Sequence, residues 1–119
     1  MSDADSGRPG DSGDRRAIRR RVLQTAMVAY PDLRISFRCA IRDRSAAGAR
    51  LKLPDGIPVP PRFWLIDASE GLAYDATAVW RRDPEAGVSL ADPIDLKEPG
   101  HGHLQRQLHA LWLEIAPRR

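Results

Sequence analysis

Five arginines fall in the seven positions from Arg15 to Arg21, with no acidic residue among them. Arginine ends in a planar fork that matches a phosphate and the O6/N7 edge of guanine, whereas lysine offers a point charge. Arg15 and Arg19 stand four apart, as do Arg16 and Arg20, so two cations on an extended or loosely wound segment can meet one anion from different sides. The preference for arginine runs through the chain: Lys52 and Lys97 are the only lysines. A solvated basic arm is the plainer reading of such a run. Downstream lies a second set, Asp43-x-Ser45-x-x-Gly48. Its carboxylate is an acceptor for hydrogen-bond donors. The hydroxyl adds a polar contact, and the glycine lets a backbone or ligand come close. Local turn chemistry explains the same three residues without a ligand.

The elements that must position these residues show a period of two. Val22 to Tyr30 predicts a first strand with apolar groups on both faces, which leaves its inward face undecided. Arg34 to Arg42 predicts a second, with Ile35, Phe37, Cys39 and Ile41 on one side. Arg42 to Gly48 then reads as a turn, and Gly48 to Leu53 as a third strand. Pro54-Asp55-Gly56 is a turn, and Ile57 to Pro61 carries too many prolines for a central strand. Arg62 to Asp67 and Leu72 to Arg82 predict two more strands joined by a tight hairpin at Ser69-Glu70-Gly71. On the longer of these, Tyr74, Ala76, Ala78 and Trp80 share a face, which makes Trp80 a core residue first and a wall of the site second. Asp83 to Ala86 reads as the last turn and Gly87 to Leu90 as the last strand. Beyond Pro93 the period changes. Leu104, Leu108, Leu111, Trp112 and Ile115 form one apolar stripe on a helix within 101–116. The expected fold is all-β: a small six-stranded antiparallel, split β-barrel with a C-terminal α-helix packed on it. Residues 1–13 read as a disordered tail, 14–21 as an arginine-rich arm, and 14–119 as one domain.

Arg-x-x-x-Arg, then Asp43-x-Ser45-x-x-Gly48, then Ala78-Val79-Trp80-Arg81-Arg82 with Gly87-Val88-Ser89-Leu90, resembles the PilZ domain, the bacterial receptor module for cyclic di-GMP. The resemblance covers roughly residues 14–90. It implies a cyclic di-GMP receptor or adaptor that changes conformation on binding and signals to a partner protein. It assigns ligand contacts to Arg16 and Arg20, with Arg15 and Arg19 as the alternative register, and to Asp43, Ser45 and Gly48. Arg44 departs from the family, which more often has an apolar residue between the Asp and the Ser.

Composition bounds the alternatives. With 42% hydrophobic and 29% charged residues and a net charge of +3, the chain fits a globular protein. No apolar run approaches the ~20 residues that span a bilayer, and no secretion signal is expected at the N-terminus, so the expected location is the cytoplasm. The one cysteine, Cys39, is expected to be a small buried hydrophobe. An enzyme is not expected, nor a cofactor: no catalytic set or Gly-rich phosphate loop is present, and His101, His103 and His109 lack the company of a closed metal site. Two other readings stay open. One is a degenerate PilZ-like scaffold that binds protein without nucleotide. The other is a small barrel for RNA or single-stranded DNA, which normally wants exposed aromatics for stacking. A monomer or weak dimer is expected.

Overall fold

The structure, a computed structural model, describes residues 20–117, with side chains from Gln24 onward. Six strands, β1 (Arg20–Ala29), β2 (Ser36–Ser45), β3 (Gly48–Lys52), β4 (Arg62–Asp67), β5 (Leu72–Arg82) and β6 (Glu85–Asp95), precede one helix, α1 (His103–Ile115). The strands form a closed barrel in the order β1-β2-β3-β6-β5-β4, with β4 pairing back onto β1. All the pairings are antiparallel. Closure leaves a small sheet without open edges.

The two apolar faces of β1 have separate uses. Ala26 and Val28 point inward, where they meet Cys39, Ile41, Leu51, Phe63, Leu65, Tyr74, Val88 and Leu90. Met27 points outward beside Ile66, its cross-strand partner, and both lie under α1. The helix covers this outer patch with Leu108, Leu111, Trp112 and Ile115, and Leu96 completes the contact. Each large apolar side chain buried this way is worth about 1.5–3 kcal/mol before entropy. The Trp112 indole N–H donates to the Ala68 carbonyl at 2.9 Å, and the Arg38 Nη2 donates to the Glu114 carbonyl at 2.9 Å. Leu104, the first residue of the expected stripe, stays exposed.

The strand limits differ from the alternation most at β2 and β6. β2 continues through Asp43 to Ser45, so the expected turn shrinks to Ala46-Ala47. At its other end Ile35 lies before the strand and is exposed. β6 starts at Glu85 and runs to Asp95, beyond Pro93, and the last turn reduces to Asp83-Pro84 with a cis peptide. The extension crosses an irregularity in the β5–β6 ladder, where Asp92 takes a φ of 52° and Pro93 has no N–H to contribute. Residues 1–13 and the arginines Arg15, Arg16 and Arg19 lie outside the described residues, as do 118–119.

Candidate functional site: a cleft behind two β-bulges

Plain alternation from Ile41, which is buried, would send Asp43 into the core and Arg44 out. A bulge prevents this. On β3, Leu51 and Arg50 are consecutive; on β2 their partners are Ile41 and Asp43, so Arg42 is the extra residue. A bulge re-aims every side chain beyond it. Asp43 therefore stands opposite Arg50 on the outward side of the ladder, where it is still only 6% exposed, and Ser45 stands opposite Gly48. A second bulge acts on β5. Ala78 pairs with Val88 and Trp80 with Gly87, so Val79 is the extra residue. Trp80 is thereby turned outward and is 44% exposed. This corrects its expected place in the core.

The two re-aimed segments border one cleft of about 170 Å³, lined by Asp43, Ser45, Gly48, Trp80, Gly87 and Val88. Asp43, Ser45 and Gly48 thus come together as the sequence expected. Gly48 is needed for a reason other than a left-handed φ: a Cβ there would lie 2.8 Å from the Val88 carbonyl oxygen across the β3–β6 ladder. At Gly87 a Cβ would overlap the Trp80 indole, so the missing side chain is what seats that ring. Ser45 Oγ donates to the Gly48 carbonyl at 3.4 Å across the hairpin.

The charges around the cleft are paired. Arg50 Nε donates to Asp43 Oδ2 at 2.6 Å, and its Nη1 donates to both oxygens of Glu85 at 3.0 Å. These two acidic partners, Asp43 foremost, push the Arg50 pKa above its already high ordinary value. Neither Arg50 nor Glu85 stood out in the sequence. The signal that could have found Arg50 was the β3 alternation, which sets it outward beside buried Leu51. Its pairing with Asp43 depends on the bulge.

Arg44 turns the other way, into the end of the barrel. Its Nη2 donates to the Tyr74 hydroxyl at 2.6 Å and to Glu70 Oε1 at 3.1 Å, and its guanidinium carbon lies 4.7 Å from the centre of the Tyr74 ring. Tyr74 donates its own proton to Glu70 Oε1 at 2.8 Å. Burial, then that bond to Glu70, raises the Tyr74 pKa, and Arg44 opposes the rise. Asp67, 1% exposed, accepts at Oδ1 from the Ser69 and Glu70 backbone N–H groups and closes the β4–β5 hairpin. Its Oδ2 faces Arg44 Nε at 4.0 Å. Arg44 therefore occupies an inward position and leaves the cleft to Asp43 and Ser45.

The beginning of β1 reaches the same place. The backbone of Arg20 pairs opposite Arg44, and that of Arg21 opposite Asp43. Arg20 is thus part of a strand that starts two residues before the expected limit at Val22. Among the described residues no group of His, Cys, Asp and Glu is placed to hold a metal ion. Among them also no helix is long and apolar enough to cross a membrane.

A closed six-stranded antiparallel barrel that carries a C-terminal helix is a PilZ-like fold. The chain is similar in three dimensions to the crystal structure of the PilZ domain of CeSA from a cellulose-synthesizing bacterium. The TM-score is 0.53 and the sequence identity 16%, over 81% of this chain and 93% of that one. No protein-family model and no curated protein matches the sequence.

Proposed function

We propose that this protein is a bacterial cytoplasmic receptor for cyclic di-GMP that reports ligand occupancy to a protein partner and catalyses no reaction of its own. One observation carries the reading. In the β1–β2 register the backbone of Arg21 lies opposite Asp43 and that of Arg20 opposite Arg44, which brings the end of the arginine run next to the Asp-x-Ser-x-x-Gly set. A cleft of about 170 Å³ is smaller than the ~300–1,000 Å³ that encloses a whole small ligand. It suits one flat base of the dinucleotide against the Trp80 indole, with Asp43 as acceptor for the guanine edge. The phosphates and the second base then need a cover. The arginine-rich segment before β1 supplies it: Arg16 and Arg20, or Arg15 and Arg19 in the other register, give forks for phosphate and guanine. Closing that segment over the ligand changes the surface next to the barrel, which is what a partner would sense.

Calorimetry with cyclic di-GMP at moderate salt tests this. The expected result is saturable binding at micromolar or lower concentration in the wild type, lost in Arg16→Ala, Arg20→Ala and Asp43→Ala. Absence of heat and of competition at millimolar dinucleotide sinks the proposal and leaves a protein-binding scaffold. Oligonucleotide binding with a steep salt dependence would move the reading to nucleic acid.

A further inference from the structure

Asp43 does its proposed work only if its carboxylate is held in one plane. Guanine offers two parallel donors, N1–H and N2–H, and a carboxylate meets both only edge-on. Adenine offers an acceptor at N1 instead, which a fixed carboxylate repels. From β3, Arg50 touches Asp43 by Nε to Oδ2 at 2.6 Å. Arg50 is itself anchored: Glu85 accepts from its Nη1 with both oxygens at 3.0 Å. The three residues come from three adjacent strands, β2, β3 and β6. The Arg50 side chain is 28% exposed and does not border the cleft, so it acts through Asp43.

We propose that Arg50, braced by Glu85, is a positioning residue that fixes the Asp43 carboxylate and so sets the preference for guanine over adenine at this cleft. The proposal rests on the cyclic di-GMP reading above. It adds a residue that belongs to neither the arginine run nor the Asp-x-Ser-x-x-Gly set. The guanidinium geometry matters as much as the charge. Arg50 uses two different nitrogens, Nε and Nη1, to join two carboxylates, which the single ammonium of a lysine cannot reproduce in the same directions.

Three variants of the full chain, Arg50→Lys, Arg50→Ala and Glu85→Gln, are titrated with cyclic di-GMP and with its adenine analogue, cyclic di-AMP, and their thermal midpoints are measured in parallel. In Arg50→Lys the midpoint stays near that of the wild type. Its affinity for the guanine dinucleotide falls by roughly tenfold or more, while that for the adenine dinucleotide does not fall, so the ratio narrows. Arg50→Ala narrows the ratio further, and Glu85→Gln shows the same trend more weakly. If the wild type binds cyclic di-GMP and Arg50→Lys keeps both its affinity and its preference, the inference fails alone. It also fails alone if both dinucleotides weaken in proportion, since that marks a phosphate contact or a purely structural pair. If the wild type binds neither dinucleotide, the inference falls together with the functional reading.

Discussion

Gly48 and Gly87 border the same cleft, and each is small for a different neighbour. A Cβ on Gly48 meets backbone, the Val88 carbonyl at 2.8 Å, which cannot yield without opening the β3–β6 ladder. A Cβ on Gly87 meets the Trp80 side chain, which is 44% exposed and can swing away. Gly48→Ala should therefore lose about 1–3 kcal/mol of stability in urea denaturation, as overpacked sites do. Gly87→Ala should lose less and instead change the Trp80 emission, because the indole leaves its seat. Equal losses in the two variants would contradict the distinction. That Asp43, Ser45 and Gly48 belong together was legible at this scale from their types and close spacing, and the structure sets them along one cleft. The direction of Trp80 was not legible. It depends on how many residues separate it from Ala76 along a ladder, and one extra residue, Val79, reverses the answer. Arg44 was legible only as a departure. Its inward path to Tyr74 and Glu70 follows from the bulge at Arg42, at which no glycine or other marker stands.

At the scale of elements, period two located all six strands and period 3.6 the helix. Ladder irregularities fall between Arg21 and Gln24 and beside Asp92, and two more, at Arg42 and Val79, lie at the cleft. Neither has a sequence signal of its own: Arg42 and Val79 are ordinary strand residues, and only the register with β3 and β6 exposes them. The end of β6 was hidden for another reason. Pro93 argued for a stop, yet the strand passes it through an irregularity at Asp92. The helix stripe was readable because Leu108, Leu111, Trp112 and Ile115 recur at helical spacing, and they are the residues that cover Met27 and Ile66. Leu108 is fully buried, whereas Leu113 is 58% exposed on the opposite face. Leu108→Ala should cost about 2–5 kcal/mol in chemical denaturation. Leu113→Ala should stay within about 0.5 kcal/mol of the wild type. A small loss at Leu108 would mean that α1 is not docked on the barrel in solution.

For the whole molecule, stability at alkaline pH ties the barrel core to the ionisation of the groups inside it. Cys39 points inward between Ala26 and Ile41, and burial pushes its thiol up to about 12 from 9.0. Tyr74 is also raised above 10.0, first by burial and then by the bond it donates to Glu70. In both cases the folded state holds the proton more tightly than the unfolded chain. The linked stability is complete below the unfolded pKa and is lost as pH climbs toward the folded one. For Cys39 that window opens at pH 9.0 and closes near 12. The loss should reach about 1.4 kcal/mol at pH 10 and about 3 kcal/mol at pH 11. Tyr74, whose unfolded pKa is 10.0, contributes little until pH nears 10, so the interval just above pH 9 belongs chiefly to the thiol. Urea denaturation of the wild type and of Cys39→Ala at half-unit steps from pH 7 to pH 11 separates the two. The variant starts lower at neutral pH, because a buried sulfur has been removed, but its stability should hold nearly level between pH 9 and 10 where the wild type declines, so the gap narrows. Parallel curves across that interval would place the thiol in contact with solvent, and the inward register of β2 that aims Asp43 at the cleft would have to be redrawn with it.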